Sequence, residues 1–547
     1  MSDPNRSSKE GTLVTTSEHD TASDRDDQPL NGAQALISSL VDADVDVCFM
    51  NPGTSEMHFV HALDSVPDMH GVLALFEGVA TGAADGYGRI AGRPAAVLLH
   101  LGPGLGNGLA NLHNAFRANT PLLCIVGAHA TGHVRYDSPL QSDIEAVART
   151  VSGWVHTCGL TRDVAADAMR ALAATGANGG QIATLILPAD VSWTDGAHRS
   201  APRAMTAPIP VSDDVVTAAA AMAKRGKQTL FLLGGHALSE QGLNAASRIA
   251  AATGAQIIVE TFPARMECGA GVPAVGRLAY LSEMAAQQLS GVTTLVLAGA
   301  RSPVSFFAYP GKESDLVPDG CEVVELADTG HDVEAALAAL AEQVAPVTEA
   351  EPSEHAPATP EPGPLTIVNL AAAIAATLPQ DAIVVDEANT SGLALPAALT
   401  TAARHTLLTL TGGAIGQGMP VATGAAVAAP NRPVLSIEAD GSALYTIQSL
   451  WTQARENSNV TTVLVNNSAY AILRMELART GAGDKPGAQS ARMLDLSDPT
   501  LNFVDIATGF GVPASRVHTA EELVGALIAA YAEPGPHLIE AIVPPIV

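Results

Sequence analysis

Residues 437–470 read IEADGSALYTIQSLWTQARENSNVTTVLVNNSAY. The apolar run at 434–437 predicts a buried strand that ends in Asp440-Gly441-Ser442. Leu444, Ile447, Leu450, Trp451 and Ala454 recur at three- and four-residue spacing and predict one helix. A second apolar run, 460–465, predicts the next parallel strand, ending in Asn466-Asn467. This βαβ unit places both polar turns at the carboxyl ends of parallel strands, where open α/β sheets bind ligands. A carboxylate, a side-chain amide and a free backbone carbonyl are hard oxygen ligands. They suit Mg²⁺ or Ca²⁺, and Mg²⁺ shares its shell readily with phosphate. Gly441 lets the backbone approach a phosphate, and the helix N-terminus behind it favours an anion. Alone, Asp-Gly-Ser reads as an ordinary βα turn; the Asn-Asn at the next strand end favours a site.

A length of 547 residues predicts about three or four domains. Hydrophobic residues make up 47% and aromatics only 4%, so Ala and aliphatics fill the interior, as suits layered parallel sheets. The 56 acidic against 28 basic residues give a net charge of −28, which disfavours nucleic acid and anionic membrane as partners. Cys48, Cys124, Cys158, Cys268 and Cys321 have no metal spacing, and their odd count argues against a disulfide framework. No signal-peptide pattern or membrane-length apolar run is present, so a cytoplasmic location is expected.

Residues 1–29 are Ser, Thr and Asp rich and are expected to form a disordered tail. Residues 30–195 alternate helices and strands: strands at 45–50, 72–76, 95–99, 122–126 and 182–187, and helices at 32–42 and 77–90. The run Gly102 to Gly108 reads as a loop before a further helix. A second α/β unit, 205–345, has strands at 229–233, 256–260, 293–298 and 322–326. Gly234-Gly235 and Gly299 end two of them, without a GxGxxG, so a nucleotide signal there is weak. The Pro- and Glu-rich stretch 346–364 reads as a linker. The third unit, 365–547, has strands at 383–386, 406–409, 434–437, 461–465 and 537–542.

The opening stretch resembles the thiamin diphosphate motif, a Gly-Asp-Gly followed by Asn-Asn one helix later. The chain is similar to thiamin diphosphate-dependent 2-oxo acid decarboxylases and carboligases, with acetolactate synthase large subunits and benzoylformate decarboxylase as look-alikes. The likeness covers about residues 30–547. It implies three doubly wound α/β domains: pyrimidine-binding, central and diphosphate-binding. It implies that Asp440, Asn467 and the Ala469 carbonyl hold Mg²⁺, and that Gly441 and Ser442 touch the diphosphate. Ala439 stands where the motif has its first Gly.

Other segments carry the resemblance further. Glu77, in FEGVATGAADGYGR, matches the glutamate that bonds the pyrimidine; its plainer reading is a first-turn acid favoured by the helix dipole. In Gly412 to Pro420, Ile415 matches the wedge that bends the cofactor, and the Gly413 carbonyl would accept from its amino group. Asn389 and Thr390 match diphosphate-contacting positions. His100, in VLLHLGPGLGNG, falls where benzoylformate decarboxylase carries a histidine, and could move protons. Thr54, in NPGTSE, could bond a substrate carboxylate or cap a helix. Tyr470, Leu473 and Arg474 fit the decarboxylase pattern, whereas Glu476 replaces a pocket aromatic. The tryptophan expected of an acetolactate synthase is missing.

The resemblance therefore implies decarboxylation of a small-molecule 2-oxo acid. By overall pattern the chain most resembles a divergent acetolactate synthase large-subunit paralogue, which implies condensation of the remaining fragment with a second 2-oxo acid as in branched-chain amino acid biosynthesis. The alternative is its protonation, as in a benzoylformate decarboxylase-like non-oxidative decarboxylase. A homodimer or homotetramer is implied. An FAD-linked, pyruvate oxidase-like reaction, a small regulatory subunit and a non-catalytic paralogue stay open as alternatives.

Overall fold

A computed structural model describes residues 29–483 and 485–545. The tail expected over residues 1–29 falls almost wholly outside the described residues.

Three sheets organise the chain. The first is six-stranded and parallel, in the order His70–Leu73, Val47–Asn51, Ala96–Leu99, Leu122–Ala128, Ile182–Pro188, Trp154–Thr157. The second is four-stranded and parallel: Gln256–Val259, Thr229–Leu233, Thr294–Ala298, Glu322–Ala327. The third runs Met266–Cys268, His405–Thr409, Ala382–Glu387, Val434–Ala439, Val460–Asn466, His537–Ile542, Ala514–Val517. Setting aside Met266–Cys268, the first and third sheets share one strand order. Both reverse direction between their first and third strands in sequence, so each has a crevice at that switch point.

Each sheet is buried on both faces, which explains why its strands read as unbroken apolar runs. Leu98 and Ile125 look to one core of the first sheet, Val97 and Val126 to the other. Phe231 and Leu232 divide the second sheet in the same way. In the third, Val384 and Ile383 lie in opposite cores.

Several elements depart from the sequence reading. Met266–Cys268 pairs antiparallel with His405–Thr409, so a segment expected in the second unit edges the third sheet. Trp154–Thr157 and Ala514–Val517 are further strands, short and half-exposed, and therefore without an apolar run to betray them. The strand expected at 72–76 is His70–Leu73. The glycine-rich run expected as a loop lies inside the helix Leu101–Arg117. The single helix after Asp440 is two, Asp440–Thr446 and Ser449–Arg455, and Leu444 on its expected apolar face is exposed.

The first and third sheets meet through the helices Glu77–Ala91 and Gly418–Ala428. Glycine makes the crossing possible. A Cβ on Gly86 would stand 2.1 Å from the Val421 carbonyl oxygen, and one on Gly424 1.7 Å from that of Ala83. A buried ion pair reinforces it. The Arg89 guanidinium donates two bonds to Asp85, at 2.8 and 2.6 Å, and one to the Thr409 carbonyl at 2.9 Å. Gln417 and Thr120 complete the shell of Asp85 at 2.9 and 2.6 Å.

Candidate active site

Asp440 is the first residue of its helix and is buried at the switch point of the third sheet. Its Oδ1 accepts from its neighbour Gly441 N–H at 2.8 Å; its Oδ2 accepts from Asn467 N–H at 3.1 Å and Ser468 N–H at 2.7 Å. Burial pushes its carboxyl up, and these backbone donors pull it back. No basic side chain pairs with it among the described residues.

Asn467 and Ala469, expected beside it, lie on the turn whose N–H groups bond its carboxylate. Ala469 N–H donates to Asn467 Oδ1 at 3.0 Å. Ala469 faces Asp495 across an isolated antiparallel bridge, whose hydrogen bonds are made by Tyr470 N–H to Leu494 and Leu496 N–H to Ser468. Ala469 is thus a non-hydrogen-bonded pair member, with its N–H and C=O both turned toward the Asn467 side. The set is one carboxylate, one amide oxygen and one carbonyl, with no cluster of three acidic, His or Cys side chains among the described residues. A buried carboxylate without a basic partner, on the same turn as an amide oxygen and a backbone carbonyl, is a hard-oxygen donor set that fits Mg²⁺.

The diphosphate candidates crowd the same edge. Asn389 Nδ2 donates to Ser442 Oγ at 2.8 Å, and Asn467 Nδ2 to Ser391 Oγ at 3.4 Å. Thr390 is buried between them. The Tyr470 ring covers Gly441, where a Cβ would meet Tyr470 Cε1 at 2.4 Å. The structure thus brings Asp440, Gly441, Ser442, Asn467, Ala469, Tyr470, Asn389 and Thr390 together.

The loop from Gly412 to Gly418 is clamped from both sheets. Asn114 donates from Nδ2 to the Ala414 carbonyl at 2.7 Å and accepts from its N–H at 3.2 Å. Asn111 Nδ2 donates to the carbonyls of Gly78, at 2.8 Å, and Gly416, at 3.2 Å, tying the first turn of the Glu77 helix to the loop. Glu387 accepts from Gly416 N–H at 2.7 Å and from Gly418 N–H. Ile415 is held half-buried in this frame, while Gly413 is exposed at φ +75° with Phe306 against it. Asn111, Asn114 and Glu387 were not singled out in the sequence. Glu387 is buried beside Glu438, its register partner on the next strand. Burial pushes the Glu387 carboxyl up to about 7 and that of Glu438 well above the usual carboxylate range.

Glu77 and His100 lie at the carboxyl edge of the first sheet. Glu77 opens its helix, is 7% exposed and accepts from Asn107 Nδ2 at 3.0 Å. His100 sits at the switch point, directly before the helix Leu101–Arg117. Both side chains border Gly104, whose Cβ would stand 3.3 Å from Glu77 Oε1 and from His100 Cβ. His100 Nδ1 lies 2.7 Å from Oε2 of Glu56, which also accepts from Gly53 N–H at 2.9 Å. Glu56 is 2% exposed and its Oε1 has no partner. The sequence reading passed over Glu56, although its place three residues after Gly53 is a capping-box spacing. Thr54 is exposed at the start of this turn, and Gly53, not Thr54, occupies the cap position. No hydrogen bond joins Glu77 or His100 to the Asp440 cluster among the described residues.

Residues 30–148 match the family described as thiamine pyrophosphate enzyme, N-terminal TPP binding domain, and residues 386–541 its C-terminal TPP binding domain. The chain is 61% identical to a Mycobacterium tuberculosis protein named "Putative acetolactate synthase large subunit IlvX", over 95% of this chain and 100% of that one. It is 30% identical to the benzoylformate decarboxylase of Pseudomonas aeruginosa, over 90% of this chain and 95% of the relative. Its fold matches the solved structure of the Rhodococcus jostii thiamine diphosphate-dependent 4-hydroxybenzoylformate decarboxylase. That match has a TM-score of 0.81 at 23% identity and covers 94% of this chain and 99% of the other.

Proposed function

This chain belongs to the thiamine pyrophosphate enzyme family, and we propose that it decarboxylates a 2-oxo acid without oxidation and returns a proton to the remaining fragment. Thiamin diphosphate is its cofactor, and its type is that of the acetolactate synthases and benzoylformate decarboxylases. The bound cofactor supplies the electron sink for loss of CO₂.

The chain's residues would bind, orient and move protons. Asp440, Asn467 and the Ala469 carbonyl would hold Mg²⁺ against the diphosphate, with Gly441, Ser442, Asn389 and Thr390 around it and Tyr470 over it. Ile415 would wedge the cofactor into its bent shape, and the Gly413 carbonyl would accept from its amino group. Glu77 would hold a proton at the pyrimidine N1′. Thr54 would meet the substrate carboxylate.

The observation that carries the reading is the His100–Glu56 contact of 2.7 Å. A carboxylate on Nδ1 fixes the ring and its tautomer and leaves Nε2 as the nitrogen that can carry a proton to and from the site, a positioned proton donor. Protonation of the fragment is the step such a donor serves. A second reading, condensation with a second 2-oxo acid, is favoured by the 61% identical relative, which bears the name of an acetolactate synthase large subunit. On that reading a small regulatory subunit and branched-chain amino acid biosynthesis would follow. Either way, by the resemblance, Glu77 and Asp440 would serve one cofactor from two copies in a dimer or tetramer. No described helix is long and apolar enough to cross a membrane.

The test is incubation with thiamin diphosphate, Mg²⁺ and a panel of 2-oxo acids, scoring CO₂, aldehyde and condensed hydroxy-oxo acid separately. CO₂ with an equal yield of aldehyde is expected; condensed product as the main outcome would select the second reading.

A further inference from the structure

The second sheet has a switch-point crevice of its own, between Thr229–Leu233 and Thr294–Ala298, where a dinucleotide such as FAD would lie. We infer that this crevice is closed to a nucleotide diphosphate, with the Glu260 side chain as the plug, and that the enzyme works without flavin. The inference rests on the proposed reaction, and it removes oxidation as a way of ending it.

A diphosphate at a strand-to-helix turn is held by free backbone N–H groups and a helix N-terminus. Here those donors are already engaged. Gly234 N–H donates to the Ala298 carbonyl at 2.9 Å, Ala237 N–H to Gly234 at 3.1 Å and Gly299 N–H to Ala327 at 2.8 Å. Gly235 N–H donates to Glu260 Oε1 at 3.3 Å. The two glycine turns lie against each other: a Cβ on Gly299 would stand 2.3 Å from the Gly234 carbonyl oxygen. Glu260, directly after the strand Gln256–Val259, fills the rest. Its Oε1 would be 2.8 Å from a Cβ on Gly234.

The electrostatics agree. The helix Glu240–Thr253 begins at the crevice, and Ser239 caps it by accepting from Gly242 N–H at 3.0 Å. The Ser239 hydroxyl in turn donates to Glu334. Glu334 and Glu260 thus bring two carboxyl groups toward the place where an anion would bind, while Glu240 pairs with Arg404. Burial pushes the Glu260 carboxyl up to about 7, while the Gly235 N–H and Arg301 draw it down. It is therefore mostly ionised at pH 8, and charged or neutral it occupies the space.

The experiment uses the full chain loaded with thiamin diphosphate and Mg²⁺ at pH 8. Visible flavin absorbance of the purified protein is recorded. FAD and ADP binding are measured by calorimetry, and CO₂ release is followed with and without added FAD. A colourless protein, no stoichiometric binding of either nucleotide, and turnover indifferent to FAD are expected. In Glu260→Ala, ADP affinity should rise by about tenfold or more; no rise would overturn Glu260 as the plug. Flavin bound stoichiometrically to the wild type overturns the inference, and if CO₂ release persists the proposed function still stands. Absence of both flavin binding and turnover supports the closed crevice while removing the proposed reaction.

Discussion

Nδ1 of His100 lies 2.7 Å from Oε2 of Glu56, so a buried carboxylate aims a histidine at the carboxyl edge of the first sheet. The pair is local in space and distant in sequence, and Gly127 makes room for it: a Cβ there would stand 1.6 Å from Glu56 Oε1. His100→Ala should lower aldehyde formation by about 10²–10⁴-fold, the range for a lost general acid. Thiamin diphosphate affinity should change little. Glu56→Gln should lower aldehyde formation in the same direction, and Gly127→Ala, which pushes Glu56 aside, should do likewise. A histidine variant with unchanged turnover would return His100 to a structural role.

Asp440→Ala is expected to abolish tight thiamin diphosphate binding in the presence of Mg²⁺, read by calorimetry. Wild-type affinity in that variant would remove Asp440 from the metal site.

Glu387 accepts from two N–H groups of the loop that carries Ile415. Glu387→Gln leaves one of these two N–H groups facing an amide NH₂ and without an acceptor, which costs about 1–3 kcal/mol for a buried donor. Urea denaturation should show that loss. Hydrogen–deuterium exchange at C2 of the bound cofactor should slow with it if the loop positions the cofactor.

Arg89 and Asp85 are 2% and 0% exposed at their side chains, at the crossing of the two helices. Arg89→Met should destabilise by about 3–5 kcal/mol, because it strands a buried carboxylate. A variant as stable as wild type in urea would show that the carboxylate is satisfied without its partner.

The raised carboxyl of Glu260 has a consequence for stability. A group whose folded pKa lies near 7, against 4.5 for the free side chain, binds more protons when folded. Between those values the unfolded state holds fewer protons, so this group's contribution to stability falls as pH rises. Glu260→Gln should therefore be more stable than wild type at pH 8, with the difference shrinking toward pH 5. Thermal melts at the two pH values decide it; a gap that widens at pH 5 would contradict the sign.

Much of the fold was legible because parallel strands buried on both faces leave apolar runs, as at Val434–Ala439 and Val460–Asn466. The Asp440 edge was legible because a strand-end Asp and a strand-end Asn are fixed to one side by a βαβ unit. Strands that lie at an edge, such as Trp154–Thr157, are only half-buried and leave no such run. Met266–Cys268 joins a sheet whose other strands begin more than a hundred residues later, which local patterns do not record. Glu56 and Glu387 escaped for a related reason. Each is one acid near a strand end, and only its partners, His100 and Gly416, distinguish it from a solvated side chain.

Glu77 is proposed to activate thiamin diphosphate for decarboxylation of a 2-oxo acid, and the most direct measurement is CO₂ release by wild type and Glu77→Gln with cofactor binding measured in the same samples. Release that requires thiamin diphosphate, and that falls by about a hundredfold or more in the variant while the cofactor stays bound, is the predicted result. Equal release from both proteins, or none from a wild type that has bound the cofactor, would contradict it.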